Sequence, residues 1–131
     1  FPLWPGAANV AFDFAVTSPL ALDSVAAASQ EQLATAASYE LRKLNDRSTQ
    51  QQCEAAGLKL IPMVLENFGG WGAEAQQVLK TLAVVLAVHT GRSMATELTH
   101  LHEGFSSTLW RANARSVLTR LAGEEAAAAD K

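Results

Sequence analysis

The feature that most constrains this chain is a carboxylate set in the middle of an apolar run. Residues 10–20 read Val-Ala-Phe-Asp-Phe-Ala-Val-Thr-Ser-Pro-Leu. Strict alternation places Val10, Phe12, Phe14 and Val16 on one face of a strand, with Ala11, Asp13, Ala15 and Thr17 on the other. Asp is depleted in strands, and an ionised carboxylate is costly to bury without a partner. Asp13 therefore implies either a face that sees water or a nearby amide to cap, or a metal ion held at the sheet by the carboxylate. Ser18-Pro19 ends the strand, because the residue before proline stays extended and proline cannot donate to a ladder.

A second strand is expected over residues 58–66, where Pro62 points to an edge position or a bulge. Between the two strands lies an Ala- and Gln-rich segment. It predicts a helix capped by Asp23 or Ser24, running through residues 26–44 and bending at Asn45-Asp46. The helix resumes over residues 48–56 and stops at Gly57. Strand, long helix and strand make a βαβ unit, which pairs its strands in parallel with a right-handed crossover. Residues 67–72, Asn-Phe-Gly-Gly-Trp-Gly, lack the Lys-Ser/Thr of a phosphate-binding loop. They read as a tight reversal with Trp71 plugging the core. A largely apolar helix follows over residues 73–89. The last helix, capped by Ser93, runs to about Leu121 on a stripe of Leu98, Leu101, Phe105, Leu109, Ala112 and Leu118. At the other end, Pro5-Gly6 is a turn signal that makes residues 1–4 a candidate hairpin partner of the first strand.

With 131 residues, 49% of them hydrophobic, the chain is expected to fold as one domain over residues 1–122, followed by an Ala-rich, frayed tail over residues 123–131. The apolar run from Val78 to Val88 is too short to cross a membrane, and no membrane partner is expected. The N-terminus lacks the basic region of a signal peptide. Opening at Phe1 and plunging straight into a strand suggests part of something longer. The single Cys53 cannot form an internal disulfide and reads as a small buried apolar group in a reducing compartment, nuclear or cytoplasmic. A net charge of -3 argues against a generic nucleic-acid coat, without excluding a nuclease whose acidic site offsets basic patches.

Several side chains carry alternatives. Glu40 and Lys43 lie within one helical turn, either as a solvated charge pair or with Lys43 aimed at the Asp13 site to stabilise developing charge. Tyr39 shares the Lys43 face. Glu66 ends the second strand beside the glycine loop, where α/β sheets place function, at the rim of such a site or simply exposed. His100 and His102 face apart on a helix and make a poor metal pair. Arg111, Arg115 and Arg120 either meet a nucleic-acid backbone or complement the helix dipole.

Taken together, five stretches carry a resemblance. They are Phe12-Asp13-Phe14-Ala15-Val16-Thr17-Ser18-Pro19, Tyr39-Glu40-Leu41-Arg42-Lys43, Cys53-Glu54-Ala55-Ala56-Gly57, Pro62-Met63-Val64-Leu65-Glu66 with Phe68-Gly69-Gly70-Trp71-Gly72, and Arg111-Ala112-Asn113-Ala114-Arg115. In this order they resemble the restriction-like endonuclease region at the C-terminal end of non-LTR retrotransposon polyproteins and their degenerate genomic copies. That region belongs to the PD-(D/E)XK class. The resemblance implies an α/β fold, here an incomplete PD-(D/E)XK-like nuclease core: a βαβ unit followed by two C-terminal helices. It also implies Mg²⁺-dependent phosphodiester cleavage, with DNA and the reverse-transcriptase region of the same polyprotein as partners. Asp13 would be the second acid and metal ligand, and Lys43 the lysine that this subgroup carries on the following helix. Glu40 joins them as a catalytic candidate, and Arg42, Arg111 and Arg115 as nucleic-acid contacts. Two departures stand out. Ala15 occupies the place of the usual lysine, and no acid precedes Asp13, so the first metal ligand is missing. The rival expectation is a non-catalytic decayed copy, or an α/β interaction domain working through its last two helices.

Overall fold

The computed structural model describes residues 9–129, with side chains described through Leu121. The fold is α/β. Strand β1 (Asn9–Thr17) is followed by three short helices, α1 (Val25–Ala28), α2 (Ala34–Leu44) and α3 (Arg47–Ala55). Strand β2 (Leu58–Glu66), α4 (Ala73–Thr90) and the long α5 (Met94–Ala129) complete it. The strand expected over residues 1–4 lies outside the described residues. Where the sequence reading has one domain through residue 122 and a frayed tail, the chain divides into two compact units, Phe1–Leu82 and Ala83–Lys131. In the second unit α5 continues helical through Ala129.

In the first unit β1 and β2 pair in parallel, in unbroken register from Asn9 opposite Leu58 to Thr17 opposite Glu66. Pro62 interrupts nothing, because among the described residues β2 has one ladder and an open side to receive a residue without an N–H. Val10, Ile61, Met63 and Val64 of the strands are buried, as are Ala36 of α2 and Trp71, Ala75, Val78 and Leu79 at and after the glycine loop. Burial of Trp71 agrees with the sequence reading. Its backbone bridges Leu65, while the Gly72 N–H donates to the Val64 carbonyl at 2.9 Å.

The crossover differs from the single helix expected over residues 26–44. It breaks across residues 29–33, where Leu33 adopts φ +62°. A leucine pays for that left-handed conformation. What it gains is a place for its side chain against Gly70, in space that a Cβ on that glycine would occupy. Packing here overrides the helix propensity of the Ala-rich segment. The second break, at Asn45-Asp46, falls where the sequence puts it: Asp46 accepts from the N–H groups of Ser48 (3.1 Å) and Thr49 (3.4 Å) and starts α3. Cys53 is half-buried rather than buried.

The stripe expected along α5 also needs correction. Leu109 is buried and Leu98, Leu101 and Phe105 are half-buried, but Ala112 and Leu118 are exposed. At about 100° per residue Leu118 falls on another side of the helix, and cover along the face of Leu98 to Ala112 ends near Leu109.

Candidate functional site

Strand alternation sets Asp13 on the face of β1 that it shares with Ala11, Ala15 and Thr17. Residues in register across a parallel pair share a face, so Pro62 and Glu66 of β2 lie there too. This is the face that α2 covers. Lys43, near the end of α2, reaches down to the strand, and its Nζ lies 2.7 Å from Asp13 Oδ2. Both side chains keep roughly 30% of their surface in solvent, 30% for Lys43 and 28% for Asp13. The ion pair is thus neither free on the surface nor sealed in the core. Its hydrogen bond from the ammonium to Asp13 raises the Lys43 pKa above the usual lysine value.

Tyr39, one turn before Lys43, organises the cations. The Arg42 guanidinium sits 4.5 Å from the Tyr39 ring centroid, and Lys43 Nζ sits 5.7 Å from it. Both distances are within the range of attraction between a cation and a ring face. Tyr39, Arg42, Lys43, Asn45 and Asp46 line an open cleft of about 470 Å³. Asp46 is occupied there as the cap of α3. Hydrogen bonds from the Ser48 hydroxyl and the Thr49 and Ser48 N–H groups lower its pKa.

Glu40 does not join Lys43. It is buried and turned to the start of α4, where Oε1 accepts from the Glu74 N–H at 3.2 Å. Burial raises its pKa above the ordinary carboxylate value, against the opposing pull of N–H groups at the head of α4. Gly72 makes this possible, because a Cβ there would overlap the Glu40 carboxylate. Glu66 is buried as well, rather than placed at a rim. Its Oε1 accepts from the Ala36 N–H at 3.2 Å, at the head of α2. Leu33 caps nothing there with its own side chain. Both glutamates act as helix caps supplied from another element.

The remaining candidates divide by unit. Arg42 stands beside Lys43 in the first unit, and Arg111 and Arg115 are exposed on α5 in the second unit. His100 is exposed and His102 half-buried, two apart on α5. One polar cluster escapes sequence reasoning altogether. The buried Glu97 Oε1 accepts from the Thr90 hydroxyl and from Arg92 Nε, each at 2.6 Å. These bonds lower the Glu97 pKa and tie the α4–α5 turn. The local signals of that turn are Thr90-Gly91, where Gly91 has φ +73°, and the Ser93 N-cap.

Among the described residues no group of three His, Cys, Asp or Glu side chains is placed to hold a metal ion. Asp13 offers one carboxylate, already bonded to Lys43, while Mg²⁺ is held through one or two carboxylates together with substrate phosphate. This donor set alone does not fit a resident Mg²⁺. No helix among the described residues is long and apolar enough to cross a membrane. No protein-family model matches the chain, and neither a curated protein nor a solved structure matches it.

Proposed function

We propose that the chain is a restriction-endonuclease-like domain of the PD-(D/E)XK class, from a retroelement polyprotein that nicks DNA in its intact form. One observation carries this reading. A carboxylate on β1 and a lysine on α2 of the crossover, 30 positions apart in sequence, meet at 2.7 Å on the helix-covered face of a parallel sheet. In the resemblance these two residues are the second acid and the displaced lysine. The role of Asp13 is to hold negative charge where a metal would enter. Lys43 neutralises it beforehand and on this reading would turn to a phosphate oxygen of the substrate. Arg42, stacked on Tyr39, adds a second cation at the same cleft. The other acidic ligand has to come from outside the described residues.

The test is nicking of supercoiled plasmid by the polyprotein that carries sequence upstream of Phe1, with Mg²⁺ and with EDTA. Mg²⁺-dependent nicking that Asp13→Asn and Lys43→Met each abolish is the expected result. Nicking that survives Asp13→Asn overturns the assignment.

A second reading, a non-catalytic decayed copy or interaction domain, is favoured by the fate of Glu40 and Glu66. Both carboxylates are committed to helix starts. On this reading Asp13→Asn lowers stability and the longer protein shows no nicking.

A further inference from the structure

Residues 110–121 of α5 read Trp-Arg-Ala-Asn-Ala-Arg-Ser-Val-Leu-Thr-Arg-Leu. At about 100° per residue, Trp110, Ala114, Val117, Leu118 and Leu121 fall on one stripe spanning three turns. The polar arc holds Asn113, Ser116, Thr119 and the three arginines. This stripe points away from the Leu101, Phe105 and Leu109 side of the same helix. It is also open: Trp110 is 56% exposed, Val117 55%, Leu118 65% and Leu121 52%. Every residue from 110 to 121 is exposed except the half-buried Asn113. A helical segment without tertiary cover is marginal in water, because helices draw most of their stability from a packed apolar face.

The charges say what would cover it. From Gly104 to Gly123 the chain has three arginines and no carboxylate, within a protein of net charge -3. Arg111 and Arg115 border the stripe on one flank, and Arg120 lies on the other. A second copy of the chain fits poorly, since antiparallel pairing through the stripe would bring Arg111 and Arg115 against their own copies. A DNA backbone would take the arginines and leave five apolar side chains unmatched. An anionic lipid surface matches both features. Apolar side chains enter the headgroup boundary, Trp sits at the interface, and arginines on both flanks reach back to lipid phosphates.

We propose that residues 110–121 of α5 form an interfacial helix that docks this chain on an anionic membrane surface. The helix lies in the plane of the interface and spans nothing.

The test is co-sedimentation of the full chain with vesicles of phosphatidylcholine alone and of phosphatidylcholine mixed with phosphatidylserine, followed also by Trp fluorescence. Binding to the mixed vesicles only, with a blue shift that Trp110→Phe removes, is expected. Arg111→Gln with Arg115→Gln should weaken it about thirtyfold, from about 1 kcal/mol per basic residue near a charged surface. Val117→Gln with Leu118→Gln should abolish it, with circular dichroism of both variants unchanged because the altered residues are exposed. Equal binding to neutral vesicles, or no binding to either, overturns the proposal. So does full binding by the Val117/Leu118 variant, and so does an arginine-dependent association with DNA that this variant retains. The outcome is independent of plasmid nicking, so the two proposals fail separately.

Discussion

Helices α3 and α5 start on their own residues, whereas α2 and α4 start on carboxylates supplied from elsewhere in the fold. At the head of α3 the Asp46 side chain accepts two backbone N–H groups of the next residues. At the head of α5 the Ser93 hydroxyl accepts the Thr96 N–H at 3.1 Å. The head of α2 has Leu33, and that of α4 has Gly72, whose carbonyl accepts the Gln76 N–H at 2.9 Å. Neither residue has a side-chain acceptor, so Glu66 of β2 serves α2 and Glu40 of α2 serves α4. Both kinds of cap satisfy the same orphan N–H groups. A local cap needs only the right residue one turn away. A distant cap also needs the fold to bring a carboxylate there and the helix start to leave it room. In this protein the chain of caps runs from β2 to α2 to α4, so the start of α4 depends on the parallel sheet being formed.

The largest expected effect is at Trp71, which precedes Gly72 and is buried. Trp71→Ala should cost roughly 3–5 kcal/mol in urea denaturation. A curve matching the parent would mean that the head of α4 does not rest on this packing. Next is Gly72→Ala, whose Cβ would overlap the Glu40 carboxylate, at roughly 1–3 kcal/mol as for other overpacked sites. Combined with Glu40→Ala, the added methyl should cost less than it does alone; strictly additive losses would show that the two do not share this space. Smaller again is Ser93→Ala, a local cap worth about 1 kcal/mol. Hydrogen exchange should place that loss at the start of α5, and protection lost evenly across β1 and β2 would contradict a local role.

The subtlest contrast lies in pH. Glu40 has a folded pKa raised above 4.5 by burial, so folding favours its protonated form. Its contribution is complete below 4.5 and is lost as pH rises through the folded value. Glu97, with a folded pKa lowered by Thr90 and Arg92, behaves oppositely. Its contribution is present above 4.5 and lost as pH falls through its folded value. Denaturation across the acidic range should therefore show Glu40→Gln removing a loss of stability with rising pH. Glu97→Gln should remove a loss with falling pH. Parallel changes in the two variants would break the distinction between a carboxylate buried on backbone amides and one paired with a cation.

Much of the first unit is readable in the residues themselves. Alternation from Val10 to Thr17 and the apolar run from Leu58 to Glu66 define both strands. A crossover too long for a hairpin makes them parallel. The same alternation sets the face of Asp13, and the spacing from Tyr39 to Lys43 sets the face of the lysine, so their meeting is a matter of which way one helix turns. The break at residues 29–33 is not readable, because nothing in Gln30-Glu31-Gln32-Leu33 marks a left-handed turn; it follows from Leu33 lying against Gly70, 37 positions on. Glu40 and Glu66 were equally opaque. In sequence each is a carboxylate near a candidate site, and both turn out to be structural.

What the sequence determined by itself is whatever depends on neighbours within a turn or along a strand: the two strands, the Asp46 and Ser93 caps, and the stop at Gly57 with its φ of +66°. What the tertiary structure decided is where the carboxylates go. Asp13 meets an ammonium, Glu40 and Glu66 meet helix heads, and Glu97 meets a hydroxyl and a guanidinium. The physical reason is that a buried carboxylate has to find donors, and which donors stand within 3 Å or so is set by chain segments tens of residues apart.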